Sequence, residues 1–141
     1  MSAIYSGLEF KTQLEAQWAA FFDLAGWNWW INPAPVGDWK PDFKVSFKCG
    51  HSECSGEHTL LVSVLPVTDL TAFKGHPCTL HNYGVRVKQD ECRADGGAAF
   101  GYSPAVTLWE ISHGAGGGSE NMDFRVDDAS TLWARASKHV K

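Results

Sequence analysis

The sequence lacks a surplus of positive charge: 12 Lys and Arg stand against 16 Asp and Glu, a formal net charge of −4. No global basic field draws such a chain to nucleic acid, so any contact of that kind requires a local patch. A long apolar run is missing too. The longest charge-free stretch near the front, Leu24 to Gly37, is broken by Asn, Pro and Gly and is too short to span a bilayer. The first residues show no basic segment followed by an apolar one, so no secretory leader is expected and a cytoplasmic protein without a membrane partner is the default. No internal repeat is visible. The glycine-rich stretch from His113 to Ser119 lacks the Lys-Ser/Thr of a phosphate-cradling loop, which points to a flexible connection. Cysteine is sparse, with four residues, and in a reducing compartment these read as free thiols or metal ligands rather than disulfides.

Aromatic residues, by contrast, are plentiful. Seven Trp and eight Phe in 141 residues predict an aromatic core or an aromatic binding face, in one domain spanning 1–141. Thr12 followed by Glu15 has the form of a helix-opening capping box, and Leu14, Trp18, Phe21 and Phe22 recur at helical spacing up to Gly26. The spacing predicts a helix over 13–25. Strands are expected at Trp27 to Ile31, then from Asp42, where Phe43, Val45 and Phe47 alternate with Lys44, Ser46 and Lys48. Trp27, Trp29 and Trp30 cannot all face inward from one strand, so at least one is expected at the surface. Thr59 to Leu65 is nearly continuous in apolar residues and reads as a central strand covered on both faces. Further along, the pattern predicts a short helix over 67–73, a strand at Val85 to Val87, a loop from Asp90 to Gly97, and a strand from Ala105 to Ile111. A final helix capped by Asp128 is expected to run to Val140.

Between two of these strands lies Cys49-Gly50-His51-Ser52-Glu53-Cys54-Ser55-Gly56-Glu57-His58. Thiolates and imidazoles so closely spaced are the donors a tetrahedral zinc ion prefers, and Gly and Ser allow the backbone to fold tightly around one. His76 and Cys78 follow about twenty residues later. The expected site is a structural zinc on Cys49, Cys54 and His58, with Cys78 or His51 completing it; a plain polar hairpin with reduced cysteines is the other reading.

The succession Tyr5, Gly7, Phe10-Lys11-Thr12, Leu14-Glu15-Ala16, Trp18-Ala19, Phe21-Phe22-Asp23 and Gly26 resembles the opening of small PD-(D/E)XK nuclease-like proteins of phages and mobile elements. Trp39-x-Pro41-Asp42-Phe43 resembles their next motif. Leu61-Val62-Ser63-Val64-Leu65-Pro66 stands where they carry L-V-E-V-K-P. The likeness covers about residues 5 to 80. It implies an α/β fold with a mixed central sheet flanked by helices. It also implies a helix glutamate at Glu15 and a strand aspartate at Asp42. The family's glutamate and lysine would fall on Ser63 and Leu65, and neither matches.

Phosphodiester cleavage needs a metal that activates water and offsets charge on the phosphate, and Mg²⁺ is held by carboxylates and substrate oxygens. Ser63 removes one ligand; Leu65 removes the lysine that stabilises the transition state. Lys44, sharing a strand face with Asp42 by alternation, is the remaining candidate cation. The expectation is therefore a pseudo-nuclease that binds nucleic acid or a host protein, such as an inhibitor of a defence or replication protein. An active Mg²⁺-dependent endonuclease using Glu15, Asp42 and Lys44 is one alternative. A zinc-stabilised interaction module is another.

Overall fold

Thr12 is extended, and its Oγ1 accepts a hydrogen bond from the Glu15 amide at 3.1 Å, which starts α1 (Gln13–Ala25). Gly26 ends the helix at φ 78°, a left-handed conformation that glycine adopts without a side-chain clash. The computed structural model describes residues 3–33, 35–36, 39–48, 56–76, 85–88, 91–113 and 116–140. The chain forms a mixed α/β domain. Its elements are β1 (Ala3–Tyr5), β2 (Leu8–Phe10), α1, β3 (Asn28–Ile31), β4 (Phe43–Lys48), β5 (Glu57–Val64), β6 (Val85–Lys88), β7 (Glu91–Ala94), β8 (Gly96–Phe100), β9 (Thr107–His113), β10 (Gly116–Glu120), α2 (Met122–Arg125) and α3 (Ala129–Ala136). Short 3₁₀ turns lie at Leu70–Phe73 and Ser137–His139.

Six strands make the main sheet in the order β10-β9-β8-β5-β4-β3. All neighbours run antiparallel except β5 and β8, which pair in parallel with Leu60 opposite Gly96 and Val64 opposite Phe100. The nearly unbroken apolar run of β5 is explained by this central position. Alternation along it divides the core. Leu60 and Val62 join Trp18, Phe21, Phe22, Phe43, Val45, Phe100, Trp109 and Ile111 in the larger cluster, to which α1 and α3 contribute. Leu61 faces a smaller cluster of Val36, Trp39, Phe73, Ala94 and Ala99 on the opposite side. The aromatic richness of the sequence is thus chiefly core: Trp18 lies 4.7 Å from Phe100 and 4.3 Å from Trp133 between ring centroids. One tryptophan is the expected exception, with Trp27 buried and Trp30 49% exposed.

Four stretches differ from what the pattern predicted. The expected loop from Asp90 to Gly97 instead contains β7 and the start of β8. Gly96, Gly97, Ala98 and Ala99 have little intrinsic strand preference, and pairing to β5 on one side and β9 on the other imposes the conformation. The glycines before Ser119, read as a flexible connection, pair across to Ile111, Ser112 and His113 as β10. Asp128 does precede the last helix, but at φ 55° and without a side-chain capping bond, because it forms the turn between α2 and α3. The helical pattern over 67–73 yields only the 3₁₀ turn, capped by Asp69.

Gly101 follows β8 where no side chain fits: a Cβ there would stand 2.6 Å from the Val67 carbonyl oxygen. Its own carbonyl accepts from Trp18 Nε1 at 2.9 Å, and the next amide, Tyr102, donates to Val67 O at 3.0 Å. The β8–β9 turn is thereby pinned beside the end of β5, with Tyr102 held outward next to the start of α1.

Candidate functional site: a carboxylate pair under a lysine

Two elements bring the expected helix glutamate and strand aspartate together. The Thr12 cap fixes the first turn of α1, and the Glu15 carboxylate, with the residue only 6% exposed, turns inward from it. Asp42 stands immediately before β4; its amide donates to Val62 O at 2.7 Å and its Oδ2 accepts from the Val64 amide at 2.8 Å. Asp42 is therefore stitched to the last turn of the β5 ladder. Its Oδ1 accepts from Lys11 Nζ at 2.9 Å, and the same ammonium lies 3.7 Å from Glu15 Oε1.

Burial pushes the Glu15 carboxyl above the ordinary carboxylate range, and the neighbouring charge of Asp42 pushes it further, while Lys11 opposes the shift. The hydrogen bond to Asp42 holds the Lys11 ammonium above its usual range against a smaller effect of burial. His76, beyond the 3₁₀ turn, is lowered by burial, with the charge of Asp42 acting the other way. The group thus comprises two carboxylates, one ammonium bonded to them and an imidazole within electrostatic reach.

The pair opens into a cavity of about 500 Å³, lined by Lys11, Leu14, Glu15, Asp42, Val64, Pro66 and Tyr102 with Thr12 and Gln13. A much smaller recess of about 40 Å³ touches Lys11, Glu15 and Asp42 from the side of Glu9, Phe10, Ile31 and Asn32. The larger space falls in the size range of small-ligand sites.

Neither remaining position of the expected nuclease motif reaches this cavity. Ser63 is buried, and its Oγ accepts from Trp39 Nε1 at 2.8 Å. Leu65 packs against the smaller cluster beside Trp39 and Phe73. Lys44, the candidate replacement cation, lies with its Nζ 5.1 Å from the centre of the exposed Trp30 ring and does not line either space. Its strand alternation places it opposite Leu61, away from α1.

The donor set does not fit a Mg²⁺ ion as it stands. Hexacoordinate Mg²⁺ accepts only oxygen donors at short range, and a cation is repelled by an ammonium already bonded to them. Here one Asp42 oxygen is committed to the Val64 amide and the other to Lys11. Ser63 offers no third ligand, being turned to Trp39.

Of the expected zinc ligands, Cys49, His51, Cys54 and Cys78 lie outside the described residues. His58 is buried within β5, its Nδ1 3.3 Å from Asp95 Oδ2 and its ring 6.0 Å from that of Phe47. Among the described residues, no group of three or more His, Cys, Asp or Glu side chains is placed to hold a metal.

Sequence reasoning missed Lys11 and Tyr102. Lys11 was legible in principle, since a lysine four positions before a glutamate at a helix start is a spacing that permits an ion pair. Tyr102 carries no such local signal, because its place depends on the long-range bond to Val67. No described helix is long and apolar enough to cross a membrane. Comparison with family models, with characterised proteins and with solved structures gives no match.

Proposed function

We propose that this chain is a PD-(D/E)XK nuclease-like protein that binds without cleaving, acting as an inhibitor or adaptor on the nucleic-acid-processing or defence machinery met by a phage or mobile element. One observation carries the reading: the Lys11 ammonium sits on the Glu15–Asp42 pair, the ground on which a catalytic metal would be needed. The Ser63 hydroxyl and the Leu65 side chain, standing for the missing ligand and lysine, are both engaged elsewhere. In this reading the built-in counter-charge and the lack of a third oxygen ligand leave the site without the means to polarise a phosphodiester.

The rearranged nuclease remains a second reading because Lys11 supplies a cation beside Asp42 that Lys44 does not. Incubation of the protein with supercoiled plasmid and with single-stranded substrates, with Mg²⁺ or Mn²⁺, decides between them. No cleavage is expected. Cleavage that is lost in Asp42→Ala would establish the active enzyme instead.

A structural zinc on Cys49, Cys54, His58 and either Cys78 or His51 is also proposed. It is supported by the approach of Asp95 to His58 Nδ1, the arrangement that orients an imidazole to offer its other nitrogen to a metal.

A further inference from the structure

We infer that the outer edge of β3 joins the same edge of a second copy of this chain, giving a two-fold dimer with one continuous sheet. The inference goes beyond the non-cleaving reading and stands whether or not the chain cuts nucleic acid.

β3 ends the main sheet, with β4 on one side and, among the described residues, no strand on the other. The phase of its bonds shows which backbone groups are left over. Ile31 stands opposite Phe43 and Trp30 opposite Lys44, and the Asn32 amide donates to Asp42 O at 3.2 Å. In an antiparallel ladder that pattern turns the N–H and C=O of Asn28 and Trp30 towards β4, and those of Trp29 and Ile31 outward. No backbone bond from a described residue reaches these outer groups. Sheet edges are normally blunted by charge, proline or a bulge. β3 contains none of these, and the sequence carries no charge from Leu24 to Gly37. At the opposite edge, β10 begins Gly116-Gly117-Gly118 and has no side chains there to pair across a join.

The ends of β3 select one register. The Trp27 amide already donates to Phe22 O at 2.8 Å, and Pro33 has no amide to give. Centring the two-fold on Trp29 calls on Trp27, and centring it on Ile31 calls on Pro33. Centring it on Trp30 needs neither: Trp29 of each copy exchanges both its bonds with Ile31 of the other. Trp30 then meets Trp30 of the second copy as a non-hydrogen-bonded pair, with Cα atoms about 4.5 Å apart, where side chains come closest. Trp30 is 49% exposed and belongs to neither core cluster; its ring lies 5.1 Å from Lys44 Nζ. On the other face each half-buried Trp29 meets a half-buried Ile31. The hairpin that packs on Trp29 through Tyr5 and Phe10 adds the exposed Ile4 and Leu8.

Charge also favours this edge for a second copy. Two chains of net charge −4 repel at a distance, and an uncharged strand is where they approach at least cost. Both faces of the join are apolar and complementary to themselves, as a two-fold contact requires. So short a join buries less than the roughly 1,000 Å² of a lasting interface, so a Kd on the order of 100 µM is expected.

Sedimentation equilibrium of the full chain from about 10 µM to about 1 mM tests the association. Monomer at the low end and dimer at the high end are expected, with added salt tightening the dimer by screening the net charge. Trp30→Glu leaves both core clusters intact and sets like charges opposite each other, so it is expected to weaken the dimer at least about tenfold. Amide exchange reads the register. The Trp29 and Ile31 amides are expected to gain protection as concentration rises, while the Trp30 amide, already turned to β4, is not. A chain still monomeric at about 1 mM, a dimer that Trp30→Glu leaves unchanged, or a dimer whose Trp29 and Ile31 amides exchange as in the monomer would each overturn the inference.

Discussion

Trp39 Nε1 donates to Ser63 Oγ at 2.8 Å, and the bond ties the position expected to carry a metal-binding glutamate into the face of the sheet away from α1. One residue along β5, Val64 faces the other way, lines the cavity and gives its amide to Asp42. The strand therefore divides two tasks between adjacent positions. Its backbone supports the carboxylate site, while its Ser63 side chain holds the indole of the smaller core. A change at Ser63 alters packing before it alters the cavity.

Ser63→Glu is accordingly expected to destabilise the fold, by about 3 kcal/mol, because it places a carboxylate against a buried indole and the Leu61–Phe73 cluster. The double variant Ser63→Glu/Leu65→Lys is expected to be no better and to gain no metal-dependent nicking. Urea unfolding measures the loss. A well-folded double variant that nicks plasmid with Mn²⁺ would show that these side chains can reach the carboxylates after all.

Glu15 makes a prediction with a definite sign. Its folded-state carboxyl lies above its unfolded value, through burial first and Asp42 second. Its contribution is then fully present below the unfolded value and is lost as pH rises through the folded one. Glu15→Gln keeps the shape and removes the titration. The variant is expected to be more stable than the wild type at neutral pH, with the difference shrinking in acid. Thermal melts across that range check it; a variant less stable at neutral pH would mean that the ionised carboxylate, with Lys11, stabilises the fold.

What was legible in the sequence follows from where conformation is local. The helix over 13–25 was readable to the residue because its cap, apolar spacing and terminating glycine are all within it. The central strand was readable from its composition. The strands at Gly96–Phe100 and Gly116–Glu120 were not, because glycine and alanine declare no preference and only their partners make them strands. Lys44 misled for a related reason. Alternation put it on one face with Asp42, but Asp42 lies outside β4 and its carboxylate folds back over the Val64 amide into the cavity, while Lys44 stands beside Trp30. Side-chain direction at a strand end is set by local bonds rather than by the period of two.

At the far end of α1, the Tyr5 hydroxyl donates to Asp23 Oδ2, and Asp23 Oδ1 accepts from Trp29 Nε1 at 2.9 Å. The bonds tie β1 and β3 to the helix. Burial and then Asp23 push the Tyr5 phenol up to about 12. A phenol raised in the folded state contributes stability that is complete below its unfolded value near 10 and is lost as pH climbs towards about 12. Tyr5→Phe is expected to cost about 1 kcal/mol at neutral pH, the worth of one partly screened hydrogen bond to a charged group. The deficit should fade in strong alkali. Ultraviolet titration of the wild type against this variant isolates the phenol; a Tyr5 signal that titrates with the other tyrosines would remove the clamp.

The zinc proposal makes the last prediction. If Cys49, Cys54, His58 and a fourth ligand from Cys78 or His51 hold a structural ion, metal binding and folding are linked, and protein purified without added metal should carry about one equivalent of zinc. Chelation should then lower the melting temperature. Asp95 offers a more selective probe, since its Oδ2 lies 3.3 Å from His58 Nδ1 and also accepts from the Thr59 amide at 2.7 Å. Asp95→Asn preserves an acceptor for that amide while removing the charge that steadies the imidazole. It is expected to weaken zinc retention about tenfold in competition with a chelator, with a smaller change in the melting of the metal-free protein. Less than about a tenth of an equivalent of zinc, together with melting that ignores the chelator, would leave the buried His58 and the half-exposed Asp95 as a polar pair serving the end of β5 alone.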